Sequence, residues 1–336
     1  MTADAATPVR LAILGAGTIG TIHGLCALQA PEAQVTAVWS RTPERAQSLA
    51  ERLGATACAS IAEAVARPDV DAVMVCTPTF LHREHALAAI AEGKHVLCEK
   101  PLARTLDDAL ELVSAAHAAG VGLYVLHVAR FFPEFRRLHD LIADGAVGRP
   151  ALVRMSRAAS FPRGSGDWHN DLQASGGVVL DMGIHDLDWL LWTLGPAIRV
   201  YARGLLDQAR PFLDYGLITV RLASGAMAHI ESSWAEAEGF RVHGEVSGDG
   251  GMLSYDSRDS TALQVTHREA SGGAPPGVNV PTAYTAESPY VSQLRHICRC
   301  IRGEEEPLIP AEQAVEALRL ALAALESMAT GEVVTL

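Results

Sequence analysis

The chain has 336 residues with a formal net charge of −12, and 49% of its residues are hydrophobic. This length allows two domains of ~100–200 residues each, and the composition argues against disorder. An acidic surface repels phosphate backbones and anionic membranes, so the charge disfavours nucleic-acid and membrane partners. The N-terminus has no basic stretch followed by an apolar core, and no run reaches ~18 apolar residues, so we expect a cytoplasmic protein.

The first 126 residues alternate between strand and helix patterns. Continuous apolar strands separated by helices predict a parallel sheet covered on both faces. Right-handed crossovers then give a doubly wound Rossmann domain over residues 1–126. The predicted strands lie at 9–14, 35–39, 72–76, 95–98 and 123–126, and the predicted helices at 19–29, 43–53, 81–92 and 106–119.

Residues 127–336 have a different pattern, typical of an α+β domain with a large, mostly antiparallel open sheet and helices on one face. The last helix is free to pack back on the first domain. A Gly- and Pro-rich stretch at 270–282 predicts an exposed loop. An open sheet face favours pairing with another subunit, so we expect a homodimer or homotetramer through this sheet. The predicted strands lie at 151–156, 198–204, 216–222, 227–233, 241–247, 251–255 and 263–267, and the predicted helices at 131–143, 176–194, 290–301 and 311–328.

A glycine-rich segment follows the first predicted strand and begins the first helix. Gly15 permits a tight turn, Gly17 lets the backbone approach a pyrophosphate, and Gly20 lets the helix pack on the strand. The free N–H groups at the helix start would bind the phosphates. The alternative is a glycine-rich turn without a ligand. The segment expected to bind a dinucleotide is Gly15-Ala16-Gly17-Thr18-Ile19-Gly20.

The end of the second strand indicates which dinucleotide binds. An Asp or Glu about 20 residues after the glycines is typical of NAD sites, because it binds the ribose hydroxyls. Here the strand ends in Trp39-Ser40-Arg41, without an acid at its tip. Ser40 and Arg41 can bind a 2′-phosphate, with Arg45 one helical turn later, so we expect NADP. In the alternative, Arg41 stacks on adenine and NAD binds.

Two further strands end in polar residues. Ligands of open α/β sheets bind at the carboxyl ends of the strands, so these residues are candidates for the cofactor site. We expect a lysine at that edge to be more than a solvated surface charge, and the proline after it biases its backbone toward an extended conformation. The candidates are Thr77, Pro78 and His82 after one strand and Glu99 and Lys100 after the other.

The predicted helix at 176–194 carries a polar stripe formed by Asp181, His185 and Asp188. An Asp one turn from a His can orient the imidazole and support its charged form, which suits proton transfer near neutral pH. Oxidation of an alcohol needs such a base. The pair could equally be a surface or core hydrogen bond. We expect no metal, because no strong third and fourth ligand is evident.

These motifs together resemble the glucose–fructose oxidoreductase/inositol dehydrogenase (Gfo/Idh/MocA) family. The resemblance covers nearly the whole chain. It implies hydride transfer between NADP or NAD and a sugar, cyclitol or related polyol. It also implies that Lys100 contacts the reacting oxygen and that Asp181 and His185 face the nicotinamide as catalytic and substrate-binding residues. The motifs are Thr77-Pro78-Thr79-Phe80-Leu81-His82, Glu99-Lys100-Pro101, the run from Gly176-Gly177 to His185 and Asp188, and Ala129-Arg130-Phe131-Phe132-Pro133.

The resemblance also points to substrate-binding positions and to alternatives. Arg130 lies in the family-like segment at the domain crossing, and Trp168 and His169 lie in the loop before the helix with His185. Trp168 could equally anchor that loop. Two other functions stay open: a glycosidase that uses its nicotinamide transiently, and a non-catalytic nucleotide-binding regulator. The missing acid after the second strand is a departure from the NAD-using members of the family.

Overall fold

The computed structural model describes residues 7–162, 168–206, 213–259, 263–267 and 287–336. Two compact units are present. Unit 1 contains, among the described residues, 7–128, Trp168 and 287–315, and unit 2 contains the rest. Among the described helices, none combines the length and the apolar character that a membrane span needs.

Unit 1 is built on a six-stranded, fully parallel sheet in the order β3-β2-β1-β4-β5-β6, which confirms the predicted Rossmann fold. The strands are β1 Val9–Leu14, β2 Ala33–Trp39, β3 Thr56–Ala57, β4 Ala72–Val75, β5 His95–Cys98 and β6 Leu123–Val125. The helices are α1 Thr18–Ala27, α2 Pro43–Leu53, α3 Ile61–Ala66, α4 His82–Ala91, α5 Leu106–Ala119 and, from later in the chain, α9 Pro289–Ile301.

Local signals set the ends of these helices. Helix α2 begins with Pro43 in its first turn and ends at Gly54 in the left-handed region. Helix α5 begins after Thr105, whose hydroxyl accepts the Asp108 N–H, and ends at Gly120 with φ of 67°. Both helices have the predicted bounds. The short β3 and α3 were not predicted, because two and six residues are too few to show a period.

The strand ends of unit 1 align at one edge of the sheet. Leu14 pairs with both Trp39 and Val75, and Val75 pairs with Cys98. The residues that follow these strands therefore lie in one row. That row contains the glycine turn, Ser40, Cys76 and Glu99, so the fold gathers the predicted cofactor residues of unit 1 at a single edge.

Unit 2 contains an eight-stranded sheet in the order β13-β12-β11-β7-β10-β9-β8-β14. All pairs are antiparallel except β7 with β10, which confirms the mostly antiparallel prediction. The strands are β7 Pro150–Ser160, β8 Ala197–Leu205, β9 Tyr215–Leu222, β10 Met227–Ser233, β11 Ala235–Gly248, β12 Gly251–Asp256, β13 Leu263–His267 and β14 Val334–Thr335. The helices are α6 Pro133–Ala143, α7 Leu172–Ser175, α8 Ile184–Leu194 and α10 Ala311–Thr330, which begins in unit 1.

One face of this sheet is buried and the other is open. Strand β9 alternates between buried residues such as Ile218 and partly or fully exposed ones such as Leu217. Strand β11 is longer than predicted because an irregularity between Ala235 and Phe240 lets it continue past a break in its pairing. The predicted loop at 270–282 lies outside the described residues.

Candidate active site

The glycine turn between β1 and α1 has the geometry that the sequence predicts. Gly15 has φ of 108°, and a Cβ there would lie 2.6 Å from the Cys76 carbonyl oxygen. A Cβ on Gly20 would lie 1.9 Å from the Gly15 carbonyl oxygen, so the helix can pack this closely only with glycine. A Cβ on Gly17, in contrast, would meet nothing within 4 Å. Open space therefore lies beside Gly17, where a ligand can approach the backbone.

The start of α1 supplies donors to that space. The Thr21 N–H donates to the Gly17 carbonyl at 2.9 Å, and the N–H groups before it have no acceptor within the helix. Thr18 and Ile19 belong to this first turn. Exposed N–H groups and the helix dipole favour an anion, so the turn fits a dinucleotide pyrophosphate.

The tip of β2 presents Ser40, Arg41 and Arg45. The Ser40 hydroxyl accepts the Thr42 N–H at 3.4 Å, which shapes the turn into α2. Arg41 and Arg45 are exposed, and within the described part of the chain neither forms a salt bridge. Two cations at this tip can bind a phosphate group.

The segment after β4 is fixed by two buried histidines. The Thr77 hydroxyl bonds His85 Nδ1 at 2.9 Å, and the ring of His85 lies edge-on to Trp39. Both ring nitrogens of His82 contact backbone carbonyl oxygens, at 2.9 Å from Thr77 and 2.8 Å from Pro101. Burial lowers the pKa of His82, against the effect of these two carbonyl groups. Both nitrogens of the His82 ring are therefore occupied by contacts with the protein's own backbone.

Lys100 lies at the end of β5, in a turn that is otherwise buried. From Val96 to Ala103 it is the one residue that keeps partial exposure. The peptide bond to Pro101 is cis. The Glu99 carboxylate accepts the Lys100 N–H at 3.0 Å and contacts His23 Nε2 at 2.7 Å. Burial alone would raise the pKa of Glu99, but the bond from His23 and the Lys100 ammonium together lower it below its ordinary value.

In unit 2, Asp181 and His185 lie on either side of a change in helix type. The predicted helix over 176–194 is confirmed as one continuous helical run over 177–194, but its type is not uniform. A π-helical turn at Val179–Gly183 precedes α8, and the short α7 ends at Gly176 with φ of 76°. Such turns are frequent at functional sites. Between 175 and 190 only Asp181 and His185 are partly exposed, and all the other residues are buried. These two polar side chains are therefore the accessible part of the segment.

Two buried ion pairs fix the helix that carries His185. Arg130 binds Asp188 through two hydrogen bonds of 2.9 and 2.7 Å, and Arg157 binds Asp186 through two of 2.9 and 2.6 Å. The sequence predicts one polar stripe that contains Asp181, His185 and Asp188. Asp188 is fully buried, so it is not accessible together with the other two. Arg130, a predicted substrate residue, has its guanidinium on Asp188 and is 1% exposed.

Trp168 and His169 lie in a 3₁₀ turn and are both partly exposed. In unit 1, Trp168 packs edge-on to Phe80 at 6.2 Å between ring centroids. In unit 2, His169 packs edge-on to Trp234 at 6.0 Å. Sequence reasoning missed Trp234, because nothing in its local pattern distinguishes it from a core residue.

The N-terminus of the π-helical turn has an acceptor that the sequence does not reveal. Burial raises the pKa of the Asp214 carboxyl, while the hydrogen bond from the Val178 N–H lowers it. Within the described residues, no group of three His, Cys, Asp or Glu side chains could hold a metal ion.

A parallel sheet with this glycine turn is typical of a dinucleotide-binding protein. The similarity to known proteins makes the chain a nicotinamide-dependent oxidoreductase acting on CH–OH groups. Residues 9–127 match the family model "Oxidoreductase family, NAD-binding Rossmann fold", and residues 135–254 match "GFO/IDH/MocA C-terminal domain". The chain belongs to the Gfo/Idh/MocA family, which confirms the resemblance seen in the sequence.

Individual relatives are similar to this chain over nearly their full length. The chain is 35% identical over 333 residues to 1,5-anhydro-D-fructose reductase of Ensifer adhaerens, covering 96% of this chain and 97% of the relative. It is 30% identical to D-xylose 1-dehydrogenase (NADP(+)) 2 of Haloferax volcanii, covering 96% and 98%. The structure of GenD2 from gentamicin A biosynthesis in complex with NAD superimposes with a TM-score of 0.87 at 27% identity, covering 100% and 98%. These similarities do not favour the glycosidase or the regulator.

Proposed function

We propose that this protein transfers a hydride between NADP(H) and a hydroxyl or carbonyl group of a sugar, cyclitol or related polyol. The observation that carries the proposal is that partial exposure is confined to the three predicted catalytic residues within otherwise buried segments. Lys100 is accessible within 96–103, and Asp181 and His185 within 175–190. The names of the two relatives, a reductase of a sugar derivative and a sugar dehydrogenase, support the substrate class.

Each of the three residues has a distinct proposed role. His185 exchanges a proton with the substrate oxygen, because imidazole gains and loses protons near neutral pH. Lys100 stabilises negative charge on that oxygen, and Asp181 orients the site or binds a second hydroxyl. When bound, the nicotinamide supplies or accepts the hydride. Membership of the family supports one reaction in which all three residues take part. The partial exposure of Lys100 within 96–103, and of Asp181 and His185 within 175–190, also supports it.

The test is to purify the protein, titrate NADPH and NADH by fluorescence, and screen polyols and keto-sugars by absorbance at the nicotinamide band. Lys100→Ala and His185→Ala should bind cofactor normally and lose turnover, by roughly 10²–10⁴-fold for the proton-transfer residue. His117→Ala is the control, because His117 is an exposed histidine on α5. Normal turnover by both active-site variants would show that the assigned roles are wrong.

We propose NADP rather than NAD as the cofactor. The support is the tip of β2, where Ser40 is followed by the exposed cations Arg41 and Arg45. A hydrogen bond to a charged group contributes about 1.5–3 kcal/mol, so Arg41→Ala should weaken NADPH about 10- to 100-fold and leave NADH nearly unchanged. Arg52→Ala, at the other end of α2, is the matched control. Equal losses for both cofactors would favour stacking of Arg41 on adenine and hence NAD.

We also propose a homodimer or homotetramer formed through the open face of the unit 2 sheet. Three large side chains are exposed on adjacent strands of that face: Tyr201 on β8, Leu217 on β9 and Met227 on β10. Their partners across the strands are polar, for example Glu231 opposite Leu217. Light scattering after gel filtration should give a multiple of the chain mass, and Leu217→Lys should reduce it. A monomeric wild type at micromolar concentration would refute the proposal.

For location we propose the cytoplasm. All six cysteines are free and buried in the structure, which is typical of a reducing compartment. Cell fractionation with an antibody against the chain tests this, and recovery outside the cytoplasmic fraction would contradict it.

A further inference from the structure

We propose that His23 and Glu99 are positioning residues for Lys100: His23 holds the Glu99 carboxylate, and the carboxylate holds the backbone at Lys100. The inference rests on the proposed catalytic role of Lys100. It also gives Glu99 a different role from the cofactor contact that its place in the sequence predicts.

The two oxygens of Glu99 have separate partners within unit 1. Oε2 accepts the Lys100 N–H at 3.0 Å, and Oε1 accepts from His23 Nε2 at 2.7 Å. Glu99 is 6% exposed, so its carboxylate has little access to solvent or to a ligand. A buried carboxylate with both oxygens bonded to the protein is suited to holding a turn and poorly suited to binding a cofactor.

His23 reaches Glu99 from another element. It lies on α1, three residues after Gly20, and is 1% exposed. Its ring also packs edge-on to Tyr290 of α9, with centroids 5.5 Å apart. A buried imidazole that faces a buried carboxylate stabilises the charged form of that carboxylate, and neither group would be stable there alone. The pair therefore ties the helix of the glycine turn to the turn that presents the lysine.

A second contact holds the other side of the same turn. His82 Nδ1 lies 2.8 Å from the Pro101 carbonyl oxygen, while its Nε2 lies 2.9 Å from the Thr77 carbonyl oxygen. Carbonyl oxygens only accept and a neutral imidazole carries one N–H, so the neutral ring that burial favours donates to one of the two oxygens and contacts the other. Lys100 thus has fixed backbone before and after it, which leaves its side chain as the accessible part of the turn.

The experiment compares His23→Leu, His23→Gln and Glu99→Gln with wild type, each with and without Lys100→Ala. Leu removes the donor, whereas the Gln amide nitrogen can occupy the place of Nε2 and donate to Glu99. A displacement of about 1 Å at a catalytic group can reduce turnover by up to about 100-fold, so His23→Leu and Glu99→Gln should lower kcat by about 10- to 100-fold. His23→Gln should restore most of it, and the Kd for NADPH should stay within about threefold, because the turn that binds phosphate is unchanged.

The variants in the Lys100→Ala background separate positioning from general destabilisation. If His23 acts through Lys100, its loss should change the residual kcat of Lys100→Ala by less than about threefold, because coupled residues are not additive. His95→Leu is the matched control: His95 begins the same strand, β5, and its Nδ1 accepts the Gly122 N–H at 2.9 Å. It should lower the melting temperature without lowering kcat.

The outcomes are distinguishable. Normal turnover by Lys100→Ala would overturn the proposed catalytic role of Lys100, on which the inference rests. Loss of turnover by Lys100→Ala with normal kcat in His23→Leu and Glu99→Gln would overturn only the positioning role. Equal losses of kcat with and without Lys100, or failure of His23→Gln to restore kcat, would also overturn it.

Discussion

The buried pair of Arg130 and Asp188 is expected to determine much of the stability of unit 2. Its side chains are 1% and 0% exposed. Removal of one partner leaves an uncompensated charge in the interior, which costs about 3–5 kcal/mol. Asp188→Leu and Arg130→Met should each lower the free energy of unfolding by that amount. The double variant should lose much less than the sum, because two apolar side chains of similar volume need no counter-charge.

Urea unfolding followed by tryptophan fluorescence measures the unfolding free energies of the single and double variants. Arg130 lies 5.1 Å from the centre of the Trp192 ring, and Trp189 is buried on the same helix, so the signal reports on this region. The control is Asp140→Ala, which breaks the exposed i,i+4 pair with Arg136 and should cost about 0.3–0.5 kcal/mol. A single-variant loss below about 1 kcal/mol, or strict additivity in the double variant, would refute the reasoning.

Four further substitutions have defined outcomes. Gly17→Ala should keep the melting temperature and weaken NADPH binding, whereas Gly20→Ala should lower the melting temperature, because its Cβ would lie 1.9 Å from a backbone oxygen. Gly183→Ala places a Cβ 2.8 Å from the Ser232 hydroxyl and should destabilise the protein by about 1–3 kcal/mol, and Ser232→Ala should reverse the loss in urea unfolding. The pKa of Glu99 is lower in the folded protein than its ordinary value of 4.5. The carboxylate therefore stabilises the fold above that value, and this contribution is lost as the pH falls through the folded pKa. In denaturant unfolding, the loss of unfolding free energy in Glu99→Gln should be full at about pH 7 and become smaller toward acid pH.

The sequence predicts the parts of this protein that depend on local signals. The bounds of α2 and α5 follow from Pro43, Gly54 and Gly120, because proline and left-handed glycine act within one turn. The glycine turn is predictable for the same reason. Its three glycines follow a spacing that is visible within a six-residue segment.

The partners of the site residues could not be predicted. His23 and Glu99 are 76 residues apart, and Arg130 and Asp188 are 58 apart. No local pattern pairs such residues. The π-helical turn before His185 was missed because its sequence also fits an α-helical period.

Strand β7 joins two groups of strands that are each formed from neighbours in sequence. On one side β8, β9 and β10 pair consecutively, and on the other β11, β12 and β13 do so. The contacts of β7 are distant: Leu152 pairs with Met227, and Ala158 pairs with Arg241. During synthesis β7 emerges before both groups and has two unpaired edges until they form. The slow step in folding this sheet should therefore be the insertion of β7, and a chain paused before β10 carries a strand prone to aggregation.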